Sequence, residues 1–171
     1  MTAIRKYGVP ALLLMLFQFL SGCGIYSFSG ASVSSDIKTI SIAYFPNQAS
    51  FVQPSLSQVF TEKLKEKFVT QTSLTQVTSG GDLQFEGFIT DYQSQPTAIQ
   101  GNEQAALNRL TISVKVKFVN LKDEKQNFES SFSRFADYDA RQSLAVVETQ
   151  LIGEISTQLV DDIFNKAMIN W

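Results

Sequence analysis

Arg109-Leu110-Thr111-Ile112-Ser113-Val114-Lys115-Val116-Lys117-Phe118 is the most regular stretch of the chain, with Leu110, Ile112, Val114, Val116 and Phe118 alternating with Arg109, Thr111, Ser113, Lys115 and Lys117. Successive side chains of a strand point to opposite faces, so this alternation describes a strand with one buried face and one polar face. Downstream, Lys122 to Gln126 reads as a hairpin turn into a second strand carrying Phe128, Ser130, Phe132 and Arg134. There the aromatic phase shifts to Phe135, which predicts a bulge. Upstream, Ser94 to Asn108 contains Pro96, Gly101 and Asn102 without periodicity and reads as a loop long enough for function or mobility. Before it, Leu83, Phe85, Gly87 and Ile89 alternate with Gln84, Glu86, Phe88 and Thr90, behind the turn signal Ser79-Gly80-Gly81. A short strand at Leu74 to Thr78 is a further candidate.

Working outward again, Ile37 to Phe45 reads as a first strand, with Ile40, Ile42 and Tyr44 sharing a face with Lys38. Pro46 and Asn47 end it. Pro54 then stands at a favoured helix start ahead of Leu56, Val59, Phe60, Leu64 and Phe68, one face of a helix over about 54–70. Glu62, Lys63, Lys65, Glu66 and Lys67 fall largely off that face and read as a solvated surface with pairs such as Glu62 with Lys65 and Lys63 with Glu66. At the other end, Asp139 with Gln142 three residues later fits an N-cap. Leu144, Val147, Leu151, Ile155, Leu159 and Ile163 follow at helical steps to the C-terminus. The order is strand, helix, three strands, helix: an α+β fold with two helices packed on one face of a mixed sheet of about four strands. Two helices cover one face only, so the polar phase lies uncovered.

The chain has 171 residues, 44% hydrophobic and 18% charged, the composition of one globular domain. Its formal charge of −2 offers no overall basic field, so nucleic acid is disfavoured as a partner. With no His and one Cys, it lacks the commonest general base and any thiolate cage for a metal. Neither Ser130 nor Ser131 sits in a nucleophile-elbow pattern, and Gly80-Gly81 lacks phosphate-loop spacing. Asp161 and Asp162 are neighbours on a helix and point about 100° apart. Asp137 and Asp139 share a strand phase, but two carboxylates are too few for a hard cation, so they read as turn and helix-start acids. No catalytic residue, metal site or cofactor is expected, and the chain is not read as an enzyme.

Arg5 and Lys6 precede an apolar run from Val9 to Leu20, which ends at Leu20-Ser21-Gly22-Cys23. This is the layout of a secretory signal, too short for a spanning helix of about 20 residues. Leu20-Ser21-Gly22-Cys23 resembles a bacterial lipobox, which implies removal of residues 1–22 and acyl chains on Cys23. Two or more acyl chains give stable anchoring. Gly24 follows with no acidic run, which in enteric lipoprotein sorting implies the outer membrane, on the leaflet facing the periplasm. Residues 23–35 then form a lipidated N-terminus and a Gly- and Ser-rich tether carrying Tyr26 and Phe28, and 36–171 form one domain. Processing leaves 12 basic and 16 acidic side chains, a net charge of −4, so an anionic ligand has to be met by a local patch.

Arg109, Lys115 and Lys117, on one polar strand face with alternate positions about 7 Å apart, are the candidates for such a patch. The row either meets two phosphates or is an ordinary solvated face that also discourages edge-to-edge pairing. Phe88 and Tyr92, on the polar phase of their strand, are candidate lipid or partner contacts, with packing against a loop as the alternative.

Cys23-Gly24-Ile25-Tyr26-Ser27-Phe28-Ser29-Gly30 behind the lipobox, followed by this order of elements, resembles the LptE family of lipopolysaccharide assembly lipoproteins. Thr39-Ile40-Ser41-Ile42-Ala43-Tyr44-Phe45-Pro46-Asn47 and Gly80-Gly81-Asp82-Leu83-Gln84-Phe85-Glu86-Gly87 are similar to its Bacteroidetes-like branch. The resemblance implies a plug within an LptD-type outer-membrane β-barrel that assists barrel assembly and binds lipopolysaccharide, located in the barrel lumen on the periplasmic side. A barrel lumen is polar, which suits an uncovered polar sheet face. The basic positions of the enteric proteins do not align with this chain, so Arg109, Lys115 and Lys117 rest on local reasoning alone. The alternative is a generic outer-membrane-anchored periplasmic scaffold or peptidoglycan-binding lipoprotein.

Overall fold

A computed structural model of the chain describes residues 34–97 and 106–168. Its elements are β1 (Thr39–Ile42), α1 (Leu56–Gln71), β2 (Thr75–Val77), β3 (Leu83–Pro96), β4 (Leu107–Asn120), a 3-10 turn (Glu124–Gln126), β5 (Phe128–Asp139) and α2 (Leu144–Met168). They build one five-stranded sheet in the order β2-β1-β3-β4-β5. The architecture is the expected α+β arrangement, with the short strand at Thr75–Val77 making a fifth. β1 runs parallel to both β2 and β3, and β3, β4 and β5 form an antiparallel meander.

The core confirms the strand and helix periods. Leu110, Ile112, Val114 and Val116 are fully buried and Phe118 nearly so, on the face of β4 turned to the helices. Leu56, Phe60, Leu64 and Phe68 are fully buried on α1. Aromatic contacts join the layers: Phe68 lies 4.8 Å from Phe85 on the sheet and 5.0 Å from Phe164 on α2. Both helices therefore share one face, and among the described residues no element covers the opposite face.

Several local readings are corrected. β1 stops at Ile42, so Tyr44 does not join Ile40 and Ile42 in the core but is 60% exposed, while Phe45 turns inward against Phe60 at 5.2 Å. The loop after β3 is shorter than the expected 94–108, because β3 and β4 stay paired out to Pro96 and Asn108, and residues 98–105 lie outside the described residues. Asp139 is not the N-cap of α2. It is still paired with Leu107 in the sheet, its carboxylate accepts the Arg141 backbone N–H at 2.9 Å, and the helix begins at Leu144. The α1 charges are not all solvated: Glu62 pairs with Lys65 at 3.0 Å, but Lys63 donates to Thr157 at 3.2 Å and Lys67 meets Asp161 at 2.8 Å, both across to α2.

The expected bulge at Phe135 is absent, since β4 and β5 pair without interruption from Leu107–Asp139 to Phe118–Phe128. Phe135 simply belongs to the open face. The irregularity falls in β3 between Ile89 and Asp91, where Thr90 is the extra residue. One inserted residue exchanges the two faces of everything that follows.

Candidate functional site

The open face is laid out by three strands. Arg109, Thr111, Ser113, Lys115 and Lys117 of β4 stand between Glu86, Phe88 and Asp91 of β3 and Glu129, Ser131, Ser133, Phe135 and Asp137 of β5. The structure thus brings Arg109, Lys115 and Lys117 into one row, as the alternation predicts. It also shows what alternation alone does not: each of the three cations has a carboxylate partner. Arg109 donates from Nε and Nη2 to the two carboxylate oxygens of Asp137 at 2.7 and 2.9 Å, and its guanidinium lies 3.6 Å from the Phe135 ring centre. Lys115 meets Glu129 at 2.6 Å and Lys117 meets Glu86 at 3.7 Å. The hydroxyls of Ser113 and Ser133 join across the strands at 2.9 Å.

Two of these partners favour the charged form of the acid they meet. The hydrogen bond from Arg109 depresses the pKa of Asp137, and that from Lys115 does the same for Glu129, with Lys117 adding attraction. Asp139, expected to accompany Asp137, is engaged separately by Arg141, which holds it down at about 2. The two acids form no cation site. Among the described residues no group of three or more His, Cys, Asp or Glu is placed to hold a metal.

Phe88 and Tyr92 are separated by the bulge. Phe88 stays on the open face, directly opposite Lys115. Tyr92 crosses to the helix side, where it is 3% exposed, pairs with Ile112, and stacks 5.7 Å from the exposed Phe51. Its hydroxyl donates to Glu148, whose other oxygen accepts from Gln53 at 2.9 Å. Burial first, then the Glu148 carboxylate, push the Tyr92 hydroxyl well above its ordinary pKa. Tyr92 is therefore corrected from the polar phase to a core position, and the loop-packing alternative describes it. An open pocket of about 400 Å³ lies beside it, lined by Ser50, Phe51, Asp91, Gln93, Ser94 and Leu144.

Glu86 and Glu129 are acids of this face that sequence reasoning did not single out, and Asp137, weighed there only with Asp139, was not matched to Arg109. The available signal was their shared phase with the lysines, but the pairing depends on cross-strand register, which lies outside any one strand. Cys23 and the tether as far as residue 33 lie outside the described residues. Among the described residues no helix is long and apolar enough to cross a membrane.

The described residues form a sheet covered on one side by two helices, with a polar face on the other in which Arg109, Lys115 and Lys117 are each paired with a carboxylate. The chain belongs to the LptE family: a family model described as lipopolysaccharide-assembly matches residues 37–167. That family is one of lipopolysaccharide assembly rather than of enzymes. Among solved structures, the fold is similar to a minor lipoprotein from Acinetobacter baumannii, with TM-score 0.52 and 13% identity over 78% of this chain and 94% of that one. It is also similar to the rare lipoprotein B from Shewanella oneidensis, with TM-score 0.51 and 15% identity over 78% and 96%. No curated protein matches this chain in sequence.

Proposed function

We propose that this protein is an outer-membrane lipoprotein, anchored by acyl chains on Cys23, that plugs an LptD-type β-barrel, assists its assembly and contacts lipopolysaccharide on its way to the outer leaflet. The observation that carries the proposal is the family match over residues 37–167 on a fold whose polar sheet face is covered by no element of the described residues. A barrel lumen is polar, so a plug needs a hydrophilic surface that is rigid and wide. β3, β4 and β5 supply one, and each of its three cations is already paired with a carboxylate. Within this reading the phosphates of lipopolysaccharide meet the row of Arg109, Lys115 and Lys117, with Phe88 as an apolar neighbour. No nucleic acid and no cofactor beyond the acyl chains enters the proposal.

Depletion of the protein in its native host tests it. Mature LptD-type barrel and surface lipopolysaccharide are expected to fall together, and the barrel is expected to copurify from native outer membranes. Unchanged levels of both, with disturbed peptidoglycan, would refute the proposal in favour of a peptidoglycan-binding scaffold.

A further inference from the structure

Lys117 stands in the ladder between two acids, Glu86 across on β3 and Glu129 across on β5. One step along, Lys115 stands between Phe88 and Ser131 and reaches diagonally to Glu129 at 2.6 Å, while Lys117 reaches Glu86 at 3.7 Å. Two lysines and two glutamates therefore make a neutral quartet, every member between 43 and 62% exposed. Arg109 is held differently, clamped by both oxygens of Asp137 and lying over the Phe135 ring. Two planar hydrogen bonds and a ring contact fix its guanidinium in place, whereas each lysine has one flexible, solvated ion pair.

An anion that approaches the quartet finds its cations already satisfied. A ligand with one negative charge exchanges one carboxylate for another group of equal charge and gains little. A phosphomonoester carries about −1.5 to −2 charges at pH 7 and three acceptor oxygens, so it outcompetes a single carboxylate and can engage both lysines, whose Cα atoms lie about 7 Å apart. We propose that Glu86 and Glu129 are built-in competitors that set the ligand specificity of this face, admitting phosphomonoesters to Lys115 and Lys117 and turning away singly charged anions. The inference rests on the reading that this face takes the phosphates of lipopolysaccharide, and it assigns a role to two acids that this reading leaves unused. It also accounts for the polarity of the face before ligand arrives. A bare pair of lysines beside a membrane would collect the singly charged phosphodiester headgroups around it, and the glutamates occupy that place.

The test uses detergent-solubilised full-length protein at low ionic strength, titrated calorimetrically with short-chain phosphatidic acid, a phosphomonoester, and short-chain phosphatidylglycerol, a phosphodiester. Wild type is expected to prefer phosphatidic acid. Exposed ion pairs hold their members by factors of about one to five each, so Glu86→Gln with Glu129→Gln should raise phosphatidylglycerol affinity about two- to twentyfold and erase the preference. Lys115→Gln with Lys117→Gln should abolish binding of both, with an unchanged melting temperature for each double variant. If the lysine variant loses binding while the glutamate variant keeps the wild-type preference, the inference is overturned and the phosphate reading stands. If the lysine variant binds as wild type does, or if no variant binds either lipid, the phosphate reading itself falls.

Discussion

Replacing Gly87 by Ala is expected to destabilise the protein, although the same change commonly stabilises by limiting the unfolded chain. A Cβ on Gly87 would lie 2.1 Å from the backbone oxygen of Lys115 and 2.5 Å from Cε1 of Phe45. A carbon and a carbonyl oxygen approach to about 3.3 Å at the closest, so one of them has to retreat by about 1 Å. Neither has room. Lys115 is held in the β3–β4 ladder, where Gly87 pairs with Val116, and Phe45 is fully buried against Phe60. Overpacking costs about 1–3 kcal/mol, and a clash with backbone belongs at the upper end, about 3 kcal/mol. For a chain of this size that corresponds to a melting temperature lower by roughly 6–12 °C. Gly153→Ala is the matched control. A Cβ there meets nothing within 4 Å, in the interior of α2, so helix propensity alone should add about 0.8–1 kcal/mol. Urea denaturation followed by far-UV circular dichroism, with slopes compared among the three proteins, measures both. A Gly87→Ala variant as stable as wild type would refute the close approach of β4 and Phe45 over this position.

Three further outcomes follow from named contacts. Asp82 accepts the Lys38 N–H, the Thr39 hydroxyl and the Thr39 N–H, which hold its pKa far below the ordinary 3.8, so its stabilising effect is fully present above that value and is lost as pH falls below it. Asp82→Asn should accordingly flatten the fall of stability between about pH 4 and pH 2, and identical slopes in acid titrations monitored by circular dichroism would contradict this. Tyr92→Phe keeps the stack on Phe51 but removes the hydrogen bond to Glu148, which Gln53 still serves, so a loss of about 1 kcal/mol in urea denaturation is expected, and no loss would mean that the bond is made equally well to water. Cys23→Ala should leave an uncleaved, unacylated precursor, and retention of a radiolabelled fatty acid on the variant would sink the lipoprotein reading.

The particular elements show which signals a sequence carries. β4 was legible residue by residue because its alternation runs without a break, and α2 because its apolar stripe runs for most of its 25 residues. The candidate row Arg109, Lys115 and Lys117 was legible for the same reason. Tyr92 was not, because the bulge at Thr90 reverses the phase of β3 and nothing local marks it. Asp139 looked like a helix cap because Asp and a Gln three residues on form that pattern, while its pairing with Leu107 keeps it in the sheet. Lys63 and Lys67 looked solvated because helical spacing gives only neighbours on the same helix, and their partners lie on α2.

By itself the sequence determined the two-layer design: strands of period two, helices of period 3.6, and more apolar faces than a single layer could bury. Those periods are properties of the local backbone and need no partner to be read. Only the tertiary structure decided the electrostatics of the open face. Arg109 and Asp137 are 28 residues apart, and Lys115 meets Glu129 and Lys117 meets Glu86 only through the registers of β4 with β5 and with β3. Opposite charges meet in space rather than along the chain, so a row that reads as cationic in sequence becomes a row of ion pairs once its neighbouring strands are in place.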